Sequence, residues 1–387
     1  MLVALCVSVT VSYGVLYYAF TVLAPAISAD TGWSATAVTA AFSAGSLTGA
    51  VAGIAAGRLL QRRGPRLVMT AGSVLGAGAI AVVALAPSYP VFVLGWLLVG
   101  LASAGTFYPP AFAALTHWYG TGRVRAITTL TLIAGFASTI FAPLTAALGE
   151  WFGWRDTYLI LAALLLVVTT PAHALTLRLP WRHDAGTSHA RADRDVLTSR
   201  TFLLIAASGT LASLAMYASL VNLVPLLLHH GVSLQLAAWV LGLSGAGQVA
   251  GRLAYPALDR WLSPNARSAG VMGVMGVTLA ALALVPGPAL VLVLVAVLGG
   301  AARGLFTLVG ATLVSDHWGP RRYAAINGVY HAPKGIAAAL APAFGASVAA
   351  ITGGYPAMFG VLAALALAGA ALAAAAGEPV TSGRGWR

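Results

Sequence analysis

Three basic side chains, Arg252, Arg303 and Lys334, lie inside apolar stretches of this chain, and Lys334 is its only lysine. A basic residue at the centre of a membrane-crossing helix costs roughly 2.5–3.5 kcal/mol on translocation scales. Such a charge needs a compensating partner. The acidic residues all fall elsewhere. Asp30, Glu150 and Asp156 flank one end of the apolar runs; Asp184, Asp193, Asp195, Asp259, Asp316 and Glu378 flank the other. Interior cations without interior carboxylates repel one another and attract an anion. The chemistry expected of them is anion capture. An arginine grips a carboxylate through two parallel N–H···O bonds, and a lysine supplies a compact point charge.

Helical spacing extends this set. Asn327, His331 and Lys334 fall at i, i+4 and i+7, Gln248 and Arg252 at i and i+4, and Arg303 and Thr307 likewise, so each group is expected on one helix face. Lys334 lies about ten residues into its run, roughly 15 Å deep at 1.5 Å per residue. Tyr13 and Tyr17 can offer hydroxyls and ring faces from the other half of the chain. Structural roles compete at each position. Lys334 can satisfy carbonyls freed near Pro333, Arg252 can reach Asp259 or lipid phosphate, and Arg303 can cap a neighbouring helix. His331 is either a packing histidine or a proton carrier. His173, His229 and His230 read as interfacial residues, and Pro143 and Pro342 as helix kinks.

These residues must be positioned by membrane helices. The chain has 387 residues, 59% hydrophobic and 8% charged, an excess of apolar surface that a soluble fold cannot bury. At about 20 residues per crossing, twelve runs are expected: 2–27, 34–57, 67–86, 89–115, 125–148, 156–176, 201–228, 236–259, 267–285, 289–313, 324–350 and 355–376. The first run lacks a charged leader and continues to Ile27, so it reads as a span rather than a signal peptide. The fold class is thus all-α membrane protein, with domains expected at 1–176 and 201–387 around a polar cytoplasmic linker, 177–200.

Arginines cluster at alternate loops. Arg58, Arg62, Arg63, Arg66, Arg123, Arg125, Arg178, Arg182, Arg191, Arg194, Arg200, Arg260, Arg267, Arg321, Arg322, Arg384 and Arg387 lie on one side, and only Arg155 on the other. The positive-inside rule puts both termini in the cytoplasm, with the protein in the cell inner (plasma) membrane. Charges at run ends rather than on one face exclude a nucleic-acid partner despite the net +12. Cys6 is the only cysteine, so neither a disulfide nor a thiolate metal site is expected. There is no P-loop, HExxH, CxxC or dinucleotide fingerprint, so no cofactor, no metal and no enzymatic activity are expected.

The two halves repeat at an offset near 200 residues. His117-Trp118 recurs as His317-Trp318, Ala126-Ile127 as Ala325-Ile326, Ala142-Pro143 as Ala341-Pro342, and Gly49-x-x-x-Gly53 as Gly247-x-x-x-Gly251. Two pseudo-symmetric six-helix bundles follow, with a site at their interface near the midplane.

Gly57-Arg-Leu-Leu-Gln61-Arg62-Arg63-Gly64-Pro65-Arg66 resembles the loop signature of the major facilitator superfamily, with Gln61 in place of the usual aspartate. The second half keeps Asp259-Arg260 at the matching place. The resemblance implies that these residues form a gating latch rather than a substrate contact. His117-Trp-Tyr-Gly-Thr-Gly-Arg123-Val-Arg125-Ala126, Gly153-Trp154-Arg155, Gly251-Arg252 and Lys334 resemble, more narrowly, the monocarboxylate transporter and oxalate/formate antiporter group. Arg252 precedes Asp259 by seven residues where that group is expected to have about eight, and the acidic-aromatic signature of animal monocarboxylate carriers is absent from the first span.

The function expected is secondary active transport of a small mono- or dicarboxylate, as anion antiport or proton-coupled symport. Substrate contacts are expected from Arg252, Arg303, Lys334, His331, Asn327, Gln248, Tyr13 and Tyr17. The partners are the anion, a proton or counter-anion and the lipid bilayer, with the protein a monomer. The alternatives are a proton-driven efflux pump for drugs or acidic metabolites and a non-transporting membrane receptor.

Overall fold

The computed structural model describes residues 1–181, 194–318 and 323–376, and among these no strand occurs. Arg182, Arg191, Arg321, Arg322, Arg384, Arg387, Asp184, Asp193 and Glu378 lie outside the described residues. Ten helical stretches are long and apolar enough to cross a membrane. One of them, Arg125–Thr176, is two spans, because Gly153 takes a left-handed φ of 74° and breaks it. The helix Leu234–Trp261 has 28 residues, enough to cross, but Gln235, Gln248, Arg252, Asp259 and Arg260 make it more polar than the rest. Ten stretches, one split and this helix give the twelve spans expected from the sequence.

In chain order, spans one to four are Leu2–Thr31, Ala35–Arg63, Pro65–Ala84 and Tyr89–Tyr119. Span five covers 123–152 and span six 154–176. Spans seven to twelve are Arg200–His229, Leu234–Trp261, Pro264–Leu284, Ala289–Trp318, Tyr323–Thr352 and Tyr355–Ala375. Local chemistry sets many of the ends. Ser34, Ser199, Ser233 and Ser263 cap spans two, seven, eight and nine, each hydroxyl accepting from a backbone N–H three residues on. Pro65 and Pro264 open spans three and nine, where no N–H is needed.

The repeat in the sequence is a repeat of packing. Span two packs on span four, and span eight on span ten. In each pair the backbones touch through glycine. A Cβ on Gly100 would collide with the Gly45 carbonyl, and one on Gly300, 200 residues later, with the Ser244 carbonyl. The smaller match is looser: Gly251 presses on Ala301, whereas its counterpart Gly53 faces open space.

The halves meet unevenly. At the arginine-poor end their cores interlock. Val22, Ala142 and Ala146 of the first half belong to the second half's apolar core, and Val221 of the second belongs to the first's. At the arginine-rich end each half keeps its own cluster, around Leu5, Met69, Leu115 and Leu130 in one and Phe202, Leu313, Val314 and Tyr330 in the other. Among the described residues, the apolar clusters cross between the halves at the first end and stay within each half at the second.

The start of the linker is a strap on the first half. The Trp181 indole donates to the Gln61 carbonyl (3.0 Å) and its ring lies 4.2 Å from that of His117. Trp118 donates to the Pro180 carbonyl at 3.1 Å.

Valine at Gly300 must separate spans eight and ten, so Gly300→Val should lower stability by about 1–3 kcal/mol or more, the usual range for overpacking. Gly53→Ala, facing open space, should leave the thermal midpoint in detergent unchanged. Equal midpoints for the two variants would contradict the glycine crossing.

Candidate functional site

Three spans of the first half depart from regular α-helix around one region. Span one widens to a π-turn at Gly14–Tyr18. Such turns in α-helices are frequent at functional sites. Span four breaks at Phe107, which is extended at φ −82°, ψ −166°. The cause lies just beyond it: Pro109 and Pro110 lack the N–H groups that would continue the ladder. Span five is interrupted around Gly135, between Ala134 and Ala137.

Tyr13 and Tyr17 from the first break, and Phe107 from the second, face a cavity of about 370 Å³. Phe42, Trp96 and Tyr217 complete its aromatic wall, and Gly335, Ala338 and Ala339 of span eleven add a smooth side. Tyr13 stacks on Phe107 with centroids 4.0 Å apart, and Tyr17 packs edge-on against Phe42 at 5.3 Å. The Tyr17 hydroxyl and the Trp96 indole N–H are buried and have no hydrogen-bond partner among the described residues. Both are donors that a ligand can use.

No cation lines this cavity directly. Two stand beside it. Arg303 is 8% exposed; its Nε donates to Gln248 Oε1 (2.9 Å) and a terminal nitrogen donates to Ser244 Oγ (3.1 Å). It lies within electrostatic reach of Tyr17, Tyr18, Tyr217 and Arg252. Arg252 crosses between the halves, donating to the Thr131 carbonyl at 2.8 Å and approaching the Tyr108 hydroxyl. It does not pair with Asp259, one of the roles open to it from sequence, because Asp259 is held by Arg267. Among the described residues the ion pairs join Asp30 to Arg155 and Arg267 to Asp259 and Asp316; none includes the three interior cations.

Lys334 occupies a different compartment. Its ammonium sits 3.3 Å from the Tyr330 hydroxyl, 4.5 Å from the Tyr330 ring centroid and 4.9 Å from that of Phe306. The slot exists because Gly209 and Gly310 carry no side chains: a Cβ on Gly310 would lie 2.7 Å from Lys334 Nζ. Aromatic faces therefore compensate this charge, each contact contributing about 0.5–2 kcal/mol. The expectation of one cation cluster from spans eight, ten and eleven is corrected to an arginine pair and a separately caged lysine.

The expected face of Asn327, His331 and Lys334 is graded in exposure, although His331 and Lys334 both reach Gly310 of span ten. Lys334 is buried with Tyr330 one turn before it, whereas His331 is exposed and Asn327 is half-buried. A 100° step per residue spreads the three over an arc wide enough to separate core from surface. Gln248 and Arg252 diverge as well, one serving Arg303 and the other Thr131. His173, expected at an interface, is buried at 1% and joins spans one, three and six through Ser8 Oγ (2.8 Å), Ser73 Oγ (2.9 Å) and the Met69 carbonyl (3.1 Å). Sequence reasoning passed over Tyr108 and Tyr217. The signal for Tyr108 is its place beside a double proline within an apolar run.

The two inter-span loops named as latches differ. In the first half Gly57 and Gln61 make no charge pair: Gly57 faces open space and Gln61 offers its carbonyl to Trp181. Gly64 turns the chain at φ 76°, and Arg66 donates to the Ala174 carbonyl at 2.9 Å. Arg62 is exposed at the helix end. In the second half the centre is Arg267, whose side chain is 2% exposed and which binds both Asp259 and Asp316, the latter at 2.6 Å. Arg260 lies over the Trp261 ring at 5.4 Å and takes no part in the pair.

The sequence profile of the Major Facilitator Superfamily matches residues 5–298. The chain belongs to that family of membrane transporters. A bacterial homologue of the human lysosomal transporter Spinster, solved inward-facing and unoccupied, superposes with a TM-score of 0.77 at 17% identity, covering 97% of this chain and 96% of the other. The nucleoside transporter NupG gives 0.79 at 16% identity, with 97% and 98% covered. At such identities these neighbours share the fold. No curated protein matches the chain.

Replacing Arg267 by Met removes the cation that Asp259 and Asp316 share. The expected loss is about 2 kcal/mol, below the 3–5 kcal/mol of a fully buried pair because Asp259 is half exposed. Adding Asp259→Asn and Asp316→Asn to the Arg267→Met variant should recover most of it. Thermal unfolding of the purified variants checks both.

Proposed function

We propose that this transporter carries a small organic anion, a mono- or dicarboxylate, by alternating access. The reading rests on one observation: Arg303 and Arg252, held by neutral groups only, stand beside a tyrosine-walled cavity with no described carboxylate to pair them. The anionic oxygens meet Arg303 and Arg252, with Gln248 orienting the guanidinium of Arg303. Tyr13, Tyr17 and Tyr217 hold the body of the substrate. Lys334, caged by Tyr330 and Phe306, contributes positive potential from a distance in this state, with His331 and Asn327 on the same helix.

The moving units are residues 1–176 and 201–387, joined by 177–200. The arginine-rich end and both termini face the cytoplasm of the plasma membrane, and the protein acts as a monomer. The cores that interlock at the arginine-poor end support this reading, in which the cavity is reached from the cytoplasm. Antiport follows if the empty site, with its cations repelling, closes poorly; proton symport follows if a proton accompanies the anion, with His331 as its carrier. Export of acidic metabolites uses the same chemistry in the opposite direction.

A second reading is transport of a neutral aromatic heterocycle. The cavity wall favours it, since Phe42, Trp96 and Phe107 line it and no cation does. NupG, a structural neighbour, is a nucleoside transporter.

Proteoliposomes loaded with a panel of carboxylates and nucleosides separate the readings. Exchange of a carboxylate, reduced at least tenfold in Arg303→Gln and Arg252→Gln, is the expected result. Exchange of nucleosides that is unaffected by either substitution would reject the anion reading. Strong stimulation by internal anion without a pH-gradient effect selects antiport over symport. Tyr17→Phe should weaken apparent affinity about 2- to 12-fold, the loss of one hydrogen bond at roughly 0.5–1.5 kcal/mol.

A further inference from the structure

The tyrosine-walled cavity and the arginines beside it form one site with two chemically distinct parts. Among the described residues, none that lines the cavity carries a charge. Arg252 and Arg303 both belong to the second half, on spans eight and ten. Tyr217 joins them to the cavity: it lines the wall and lies within electrostatic reach of both. Tyr17 does the same for Arg303, and its hydroxyl is buried without a partner among the described residues. A carboxylate drawn to the arginines therefore also meets two phenolic donors.

This placement limits the charge of the cargo. Alternating access passes through a state closed at both ends, in which whatever occupies the cavity has lost its water. One carboxylate can meet Arg303 and Arg252. A second, at the far end of a dicarboxylate, is then enclosed by neutral walls, and a desolvated carboxylate without a cation is strongly disfavoured. A dicarboxylate short enough to keep both ends on the arginines leaves the aromatic part empty. The site suits one negative end and an uncharged body.

The walls select that body. Phe42, Trp96 and Phe107 present apolar ring surface. Spans two and eleven, which pack on each other across the halves, add Gly45, Gly49, Ala50, Gly335, Ala338 and Ala339. Helix faces made of glycine and alanine are flat, and a planar ring lies against them closely. Rings also attract one another, face offset or edge to face, beyond the apolar area they bury. A saturated body of equal size buries the same area without that attraction.

We propose that the cargo is an aromatic monocarboxylate, an aryl or arylalkyl acid whose ring packs with Phe42, Trp96 and Phe107 and whose carboxylate reaches past Tyr17 and Tyr217 to Arg303 and Arg252. The proposal rests on the anion reading and narrows it. An aromatic wall and unpaired arginines, which separately favour a heterocycle and an anion, become parts of one site.

Calorimetric titration of the purified full-length protein with benzoate and cyclohexanecarboxylate tests this, because the two acids match in charge and nearly in size and differ in the π-face. Benzoate is expected to bind about tenfold more tightly, the equivalent of one or two ring contacts. Phe107→Leu and Phe42→Leu each keep an apolar side chain and remove a ring; at least one should reduce that ratio to about threefold or less. Arg303→Gln should weaken both acids alike. Equal binding of the two acids, with both weakened by Arg303→Gln, would overturn the aromatic assignment and leave the anion reading standing. A ratio unchanged in both leucine variants, or succinate binding more tightly than benzoate, would do the same. Binding of none of the three acids, or binding indifferent to Arg303→Gln, would reject the anion reading and this proposal with it.

Discussion

A guanidinium buried without a carboxylate is the constraint around which this protein is organised. Arg303 stands 8% exposed in a helix built mostly from Leu, Val, Ala and Gly. Its neighbours supply dipoles rather than charge, Gln248 and Ser244 from span eight. They can orient it but cannot neutralise it. Span ten brings it there because Gly300 and Gly304 let the helix lie directly on the carbonyls of Ser244 and Gln248. The same close crossing thus positions the arginine and provides its two partners.

Around that point the halves have divided their labour. The first half supplies irregular backbone: a π-turn in span one, an extended residue in span four and an interrupted span five. These breaks shape the aromatic cavity. The second half keeps its cations in regular helices, where i+4 geometry and glycine slots set each one in place. Arg252 bridges the two by reaching the Thr131 carbonyl beside the break in span five. A rocking of one half on the other must change that contact, because it spans the interface. The apolar interlock at the arginine-poor end is the other contact such a motion must change.

The second half also holds a charge-paired latch. Arg267 binds two aspartates, from spans eight and ten, while the matching loop of the first half has Gln61 and uses backbone carbonyls instead. Trp181 covers that loop and stacks near His117.

Much of this fold is legible in the chain. Twelve apolar runs and the repeated glycines of spans two and eight, Gly49 and Gly53 with Gly247 and Gly251, follow from hydropathy and from the small size of glycine, which are properties of the residues themselves. So is the scarcity of interior acid. What each interior cation touches is not local. The spacing of Asn327, His331 and Lys334 placed them on one arc, and His331 and Lys334 do both reach Gly310, but how deeply each is buried along that arc is set by the neighbouring spans. Lys334 read as a charge awaiting an anion; the glycines at 209 and 310, distant in sequence, opened a slot between aromatic rings that holds it. Arg267 read as one arginine of many at a loop; its two aspartates lie eight and 49 residues away. Residue chemistry by itself determined that this is a twelve-span membrane protein with unpaired interior cations. Tertiary structure decided which cations stand beside the cavity and which is caged, because electrostatic partners are chosen by distance in space.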